Sequence, residues 1–237
     1  MPHPTVTVVV PIHNEEGFLL PAIERLTAEM STVDADIDIL LVENGSTDAT
    51  RSIAADLAAG RSDISLLTLP DADYGAAMRA GFSAASGRWV ANFDIDYFSA
   101  AFLSRALELA DRADVVLASK RAPGSNDRRS AFRRTGTRVF NRLLQWGFGS
   151  KVTDTHGMKL VRAEVSAALL PKVLSTQDLF DTELVLRAER AGYRIVELPV
   201  VVEEQRQARS SYLRRVPRTL AGLWKIRSAM RREVDGT

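Results

Sequence analysis

The feature that most constrains this chain is the regular alternation of short apolar, β-branched runs with segments of helical periodicity. Strand-like runs stand at Thr5–Ile12, Ile37–Val42, Ile64–Leu69, Trp89–Phe93 and Asp114–Ser119, with helical patterns at about 17–30, 48–59, 75–86 and 99–112 between them. Runs apolar on both faces need cover on both faces, so the alternation predicts a mostly parallel sheet flanked by helices. After residue 120 the texture changes. A basic, Gly/Pro-bearing stretch, "KRAPGSNDRRSAFRRTGTR", leads into a helix predicted over about 131–147. A further helix is predicted over about 178–191 and a last strand over Arg194–Val202.

The division expected is one α/β domain over residues 1–204 and a tail over 205–237. Between 205 and 232 the tail holds nine Lys/Arg and no acid, with Leu213, Val216, Leu220, Leu223, Trp224 and Met230 at helical spacing. One-signed charge beside an apolar stripe is the pattern of a helix lying in a membrane interface. Packing on the domain, or pairing with a second copy in a homodimer, are the other readings of the same stripe.

Bulk properties remove several classes. The 237 residues contain no cysteine, which excludes disulfides, thiolate metal sites and cysteine nucleophiles together and suits a reducing cytoplasm. The run after "MPHP" lacks a basic lead and reads as a strand rather than a signal peptide. No window approaches the ~20 apolar residues of a membrane span, so membrane contact would be peripheral, at the inner face. Net charge is +1, and no aromatics interleave with the basic residues, so nucleic acid is not the expected partner.

Ligands of open α/β sheets bind beyond the carboxyl ends of the strands. Those ends carry Pro11-Ile12-His13-Asn14-Glu15, Glu43-Asn44-Gly45-Ser46-Thr47-Asp48 and Asp94-Ile95-Asp96. Strand alternation would send Asp94 and Asp96 the same way, and two carboxylates that close need a cation or water between them. A solvated turn is the plainer reading of the same residues. Neither Gly-x-Gly-x-x-Gly after the first strand nor a Walker-type loop occurs, so a bound diphosphate would depend on magnesium or manganese held by hard oxygen ligands. His13 also suits an ordinary strand-end histidine, and Ser46 and Asp48 suit helix caps.

Four segments in order, "VVVPIHNEE", "LLVENGSTDAT", "YGAAMRAGFSAASGRWVANFDID" and "FDTELVLRAERAGYRIVELPV", resemble glycosyltransferase family 2, with its Rossmann-like GT-A fold, over roughly residues 5–205. "VTDTHGMKLVRAEV" and the basic tail resemble the branch that glycosylates dolichyl and polyprenyl phosphates. The resemblance implies an inverting, metal-dependent hexosyltransferase that moves mannose or glucose from a GDP- or UDP-linked donor to a polyprenyl phosphate. It implies base and ribose contacts from Pro11, His13, Asn14, Glu15, Glu43 and Asn44, and metal ligation by Asp94 and Asp96. It also implies that Asp154 and His156 lie near the reacting centre, that Arg121, Arg133 and Arg134 bind the acceptor phosphate, and that Arg206 and Arg209 close over the donor phosphates.

Asp181 stands as a base or a helix-start residue, and Glu183 as a base or an exposed helix residue. Asp154 alternatively orients its loop. The chain departs from the family at Glu43-Asn44, where two aspartates are usual, at Tyr74, where a lysine is usual, and at Phe98, where a metal-binding glutamine is usual. Transfer to a saccharide or small hydroxyl, and a degenerate nucleotide-sugar binding module, remain the alternatives.

Overall fold

The structure, a computed structural model, describes residues 4–127, 131–176, 179–202 and 212–235. Its first half repeats strand and helix: β1 Thr5–Ile12, α1 Leu19–Met30, β2 Asp36–Asn44, α2 Thr50–Gly60, β3 Ile64–Leu69, α3 Tyr74–Ala84, β4 Trp89–Asn92, α4 Ala100–Leu107 and β5 Val115–Ser119. The second half adds β6 Asn126–Asp127, α5 Ala131–Phe148, β7 Lys159–Arg162, α6 Ala163–Leu169, α7 Phe180–Arg190, β8 Ile195–Pro199, β9 Val201–Val202 and α8 Tyr212–Asp235. Seven strands form one sheet in the order β3-β2-β1-β4-β7-β5-β8, parallel except for β7, which runs against both β4 and β5. The short β6 and β9 pair separately.

The strands are apolar on both faces because both faces are covered. Along β1, Val6, Val8 and Val10 join α1 and α4 in one buried cluster. Val9 points the other way, into a cluster with α3, α6 and α7. Burying such a side chain contributes about 1.5–3 kcal/mol, so this short strand carries much of the core. Gly81 lets α3 lie close on the sheet, since a Cβ there would stand 2.4 Å from a Val9 methyl. A third cluster joins Leu144 of α5, Leu186 of α7, and Leu223, Ile226 and Met230 of α8, so part of the tail's apolar stripe packs on the domain.

Three expectations need correction. β4 stops at Asn92, and the acids beyond it occupy a turn closed by reciprocal Asp94 and Tyr97 backbone bonds of 3.2 and 2.9 Å. The last predicted strand is two, broken at Val200. Ser46 does not cap a helix: its Oγ accepts the Asn14 backbone N–H at 3.0 Å, whereas Asp48 does take the Thr50 N–H at the start of α2.

Candidate active site

The sheet order reverses direction at β1: β2 and β3 lie on one side and β4 on the other. At such a switch point the loops diverge and leave a crevice beyond the carboxyl ends. A cleft of about 330 Å³ lies there, lined by Pro11, His13, Glu15, Asn44, Ala72, Tyr74, Asp94, Ile95 and Asp96.

Each wall has a local cause. The left-handed backbone of Asn14, at φ 53°, turns the chain at the end of β1. The Asn14 side-chain oxygen accepts the Thr47 N–H at 2.8 Å, tying this loop to the one after β2. His13 Nδ1 donates to the Asn44 carbonyl at 2.9 Å and Nε2 accepts from Asn14 at 3.2 Å, which selects the Nδ1–H tautomer. Asn44 in turn donates its side-chain amide to the Ile12 carbonyl at 3.0 Å. At Gly45, φ is +65° and a Cβ would meet the backbone at residues 70–72 at 2.7–2.9 Å, so only glycine lets that wall close.

On the β4 side, Ile95 is buried as a wedge and leaves Asp94 and Asp96 on either side of it, both reaching the cleft. Both carboxylates therefore face one space, as strand alternation would have had it, but through a turn. Withdrawal from water, then the charges of Asp181 and Asp96, push the Asp94 carboxyl up to about 6, against the opposing pull of Lys159 and Lys120.

Behind the cleft lies a polar tier. Asp181 accepts from Lys159 Nζ at 2.7 Å, from the Tyr74 hydroxyl at 2.9 Å and from the Asn92 amide at 3.2 Å. Burial first, then the nearby Asp181 and Asp94 charges, hold Tyr74 well above the usual phenol range, so its hydroxyl keeps its proton. Asp154 accepts the Lys120 and His156 backbone N–H groups at 3.2 and 3.1 Å and pairs with Lys120 Nζ at 3.4 Å. His156 stands edge-on to Phe140, and burial pulls its ring below the usual histidine range. Lys120 Nζ also holds the His156 carbonyl at 3.1 Å.

The structure thus brings Pro11, His13, Glu15, Asn44, Asp94 and Asp96 around one cleft. Asn14 braces the rim instead of lining it. Glu43 is fully buried beneath, where one oxygen accepts the Ser46 N–H at 2.6 Å and the other pairs with Arg51 at 3.3 Å. Arg121 and Arg134 are exposed. Arg206, Arg209 and the Arg133 side chain lie outside the described residues.

Glu183 is not an exposed helix residue. It is 0% exposed, accepts from the Leu174 and Ser175 backbone at 3.0 and 2.6 Å, and pairs with Arg187 at 2.8 Å. Phe98 packs beneath the Arg25 guanidinium, 5.1 Å from its ring centre. Tyr74, Asn92, Lys120 and Lys159 were missed as partners of the site. A lysine inside the apolar pair Met158 and Leu160 was the available signal for the last.

Among the described residues no three acidic or histidine side chains converge on one point. The two cleft carboxylates still suit magnesium or manganese, which bind proteins through one or two carboxylates and complete their shells with substrate phosphates and water. Burial first, and then the crowding of negative charge, raises Asp94, and a cation there would relieve that crowding.

Comparison with known proteins agrees with this architecture. The family model for glycosyl transferase family 2 matches residues 7–170. A glycosyltransferase of Mycobacterium tuberculosis is 32% identical over 196 residues, 82% of this chain and 84% of that one. The undecaprenyl-phosphate 4-deoxy-4-formamido-L-arabinose transferase of Klebsiella pneumoniae is 28% identical over 87% of this chain, which spans only 62% of that longer protein. Among solved structures, glucosyl-3-phosphoglycerate synthase of M. tuberculosis with UDP superposes with a TM-score of 0.68 at 19% identity, covering 95% of this chain and 80% of that one. Mannosyltransferase PcManGT of Pyrobaculum calidifontis, with GDP-mannose and Mn2+, superposes with a TM-score of 0.63 at 22% identity, covering 97% and 65%. With a cleft at the switch point of a GT-A sheet and a family match across most of its length, this chain belongs to glycosyl transferase family 2.

Proposed function

We propose that this glycosyltransferase moves a hexose, mannose or glucose, from a GDP- or UDP-linked donor to the phosphate of a polyprenyl phosphate, with inversion at the anomeric carbon. The acceptor class is carried by one observation: the acids expected as bases are engaged. Asp181 holds three partners and Glu183 is buried against Arg187 and the 174–175 backbone. Only Glu15, Asp94 and Asp96 supply carboxylates to the cleft lining, among the described residues. A hydroxyl acceptor needs a base to take its proton; a phosphate is already ionised near neutrality and needs none. The Klebsiella relative, an undecaprenyl-phosphate 4-deoxy-4-formamido-L-arabinose transferase, supports the same choice.

On this reading His13, Asn44 and Glu15 receive the nucleoside, with Pro11 shaping the wall and Asn14 and Glu43 bracing it from behind. Asp94 and Asp96 would hold a divalent cation, which would supply positive charge to offset that of the departing diphosphate. An acceptor phosphate oxygen forms the new bond to the anomeric carbon from the opposite face, and the old carbon–oxygen bond breaks with its electron pair going to the nucleoside diphosphate. Arg121, Arg133 and Arg134 place the acceptor phosphate, and Arg206 and Arg209 cover the donor phosphates. Asp154 and His156 shape the floor, since the Asp154 carboxylate is committed to backbone N–H groups there and the His156 ring to the Thr155 hydroxyl and Phe140.

The test is transfer of label from radiolabelled GDP- and UDP-hexoses to undecaprenyl or dolichyl phosphate with manganese, followed by lipid extraction. Lipid-borne label is expected, and Asp94→Asn with Asp96→Asn is expected to lower it by on the order of 1,000-fold. No lipid label from any of these donors rejects the acceptor; undiminished transfer by the double variant rejects the site.

A further inference from the structure

Away from the cleft, α8 and the segment 173–176 enclose a groove of about 480 Å³. Its rim carries Leu174, 58% exposed, and Trp224, 69% exposed, and among the described residues its lining includes Arg218, Lys225 and Arg232 but no acidic residue. α8 is fixed in this place. Leu223, Ile226 and Met230 are buried in the shared cluster, and Gly222 admits Leu179 so closely that a Cβ would lie 2.3 Å from its methyl. Glu233 near its end pairs with buried Arg187 at 2.9 Å, and Arg187 in turn holds Glu183, which grips the 174–175 backbone. Helix and segment are thus one mechanical unit. What this unit leaves outside is Val216, Leu220 and Trp224, four residues apart and all exposed.

We propose that α8 and the 173–176 segment form a docking face for an anionic lipid bilayer. Trp224, Leu220 and Leu174 enter the interface, and Arg218, Lys225 and Arg232 meet lipid phosphates. Exposed apolar side chains beside cations of one sign match the boundary between acyl chains and anionic headgroups. A second copy fits worse. From Tyr212 to Arg232 the helix carries seven Lys/Arg and no acid, so a self-complementary contact would press like charges together. α5, which shares the buried cluster, repeats the pairing on its outer side, with Val139, Leu143 and Trp146 exposed alongside Arg138 and Arg142. The proposal deepens the polyprenyl-phosphate reading by naming the surface that brings the enzyme to its acceptor, but its test needs no sugar transfer.

The full chain is centrifuged with phosphatidylcholine vesicles and with vesicles in which about a third of the lipid is phosphatidylglycerol. Selective binding to the anionic vesicles is expected. Lys225→Gln with Arg232→Gln should weaken it by roughly 30-fold, the loss expected for two interfacial cations. Trp224→Ala should weaken it as well, while thermal melts at the parent temperature certify folding. Equal binding to both vesicle types, no binding, or unchanged binding by these variants overturns the proposal. So does a dimer in light scattering that Trp224→Ala dissolves, which assigns the face to a second copy. Selective vesicle binding with no sugar transfer leaves this face standing and removes the polyprenyl-phosphate reading alone.

Discussion

Lys159 is 0% exposed and its ammonium lies 2.7 Å from Asp181, itself removed from water. Two such charges are tolerable only together, because each offsets the other's lost hydration. Lys159→Met is therefore expected to cost about 3 kcal/mol by leaving Asp181 buried and unpaired, and the double variant Lys159→Met with Asp181→Asn should recover a large part of that. Urea unfolding of the two single variants and the double gives the coupling; simple addition of the two costs would show that the pair is not what stabilises this tier. Residues at this scale were the least legible in the sequence. Asp181 looks like a free acid at the start of a helix because its partners are remote: Lys159 stands 22 positions before it and Tyr74 107 positions before it. Asp94 and Asp96 were legible because their crowding shows in the local sequence alone.

At the scale of elements, the parallel strands were readable because each is an apolar run long enough to lie between two helical layers. β7 escaped because it has four residues, begins with Lys159 and ends with Arg162, so burial of Leu160 and Val161 makes no visible period. α6 follows it without a turn and was missed with it. The β5–β8 edge shows how an element boundary is stabilised. Asp114, just before β5, accepts the Arg194 N–H at 2.9 Å and its guanidinium at 2.8 Å, just before β8. Those bonds, with Arg162 beyond, hold the Asp114 carboxyl down at about 2, against 3.8 for the free side chain. A carboxyl depressed by folding adds stability that is complete above its unfolded value and disappears as pH falls through its folded value. Asp114→Asn should thus lower stability by about 1 kcal/mol near neutrality, discounted because Arg194 is half exposed, and the gap should close between 3.8 and about 2. Urea midpoints of both proteins across that range check it; a gap of constant size down to the acid end would assign the loss to packing instead of charge.

For the molecule as a whole, the cleft exists because the sheet order reverses at β1, and so its walls come from distant parts of the chain: the β1 and β2 loops, the start of α3 and the turn after β4. A ligand that fills it ties those parts together only in the folded state and must raise the melting temperature. At about 100 times its dissociation constant the gain is about 2.7 kcal/mol, which for a chain of this size means roughly 5–10 °C. UDP or GDP should produce that rise with manganese or magnesium present and little of it in EDTA, since bare diphosphate would face Glu15, Asp94 and Asp96. The variant Asp94→Asn with Asp96→Asn is expected to melt no lower than the parent without ligand, because a repulsion has been removed, and to lose the metal-dependent rise. Differential scanning fluorimetry across these conditions separates two sources of affinity. A rise that survives both EDTA and the double variant would mean that the nucleoside wall around His13 and Asn44 alone holds the ligand, and the two acids beyond β4 would then have no part in binding a donor.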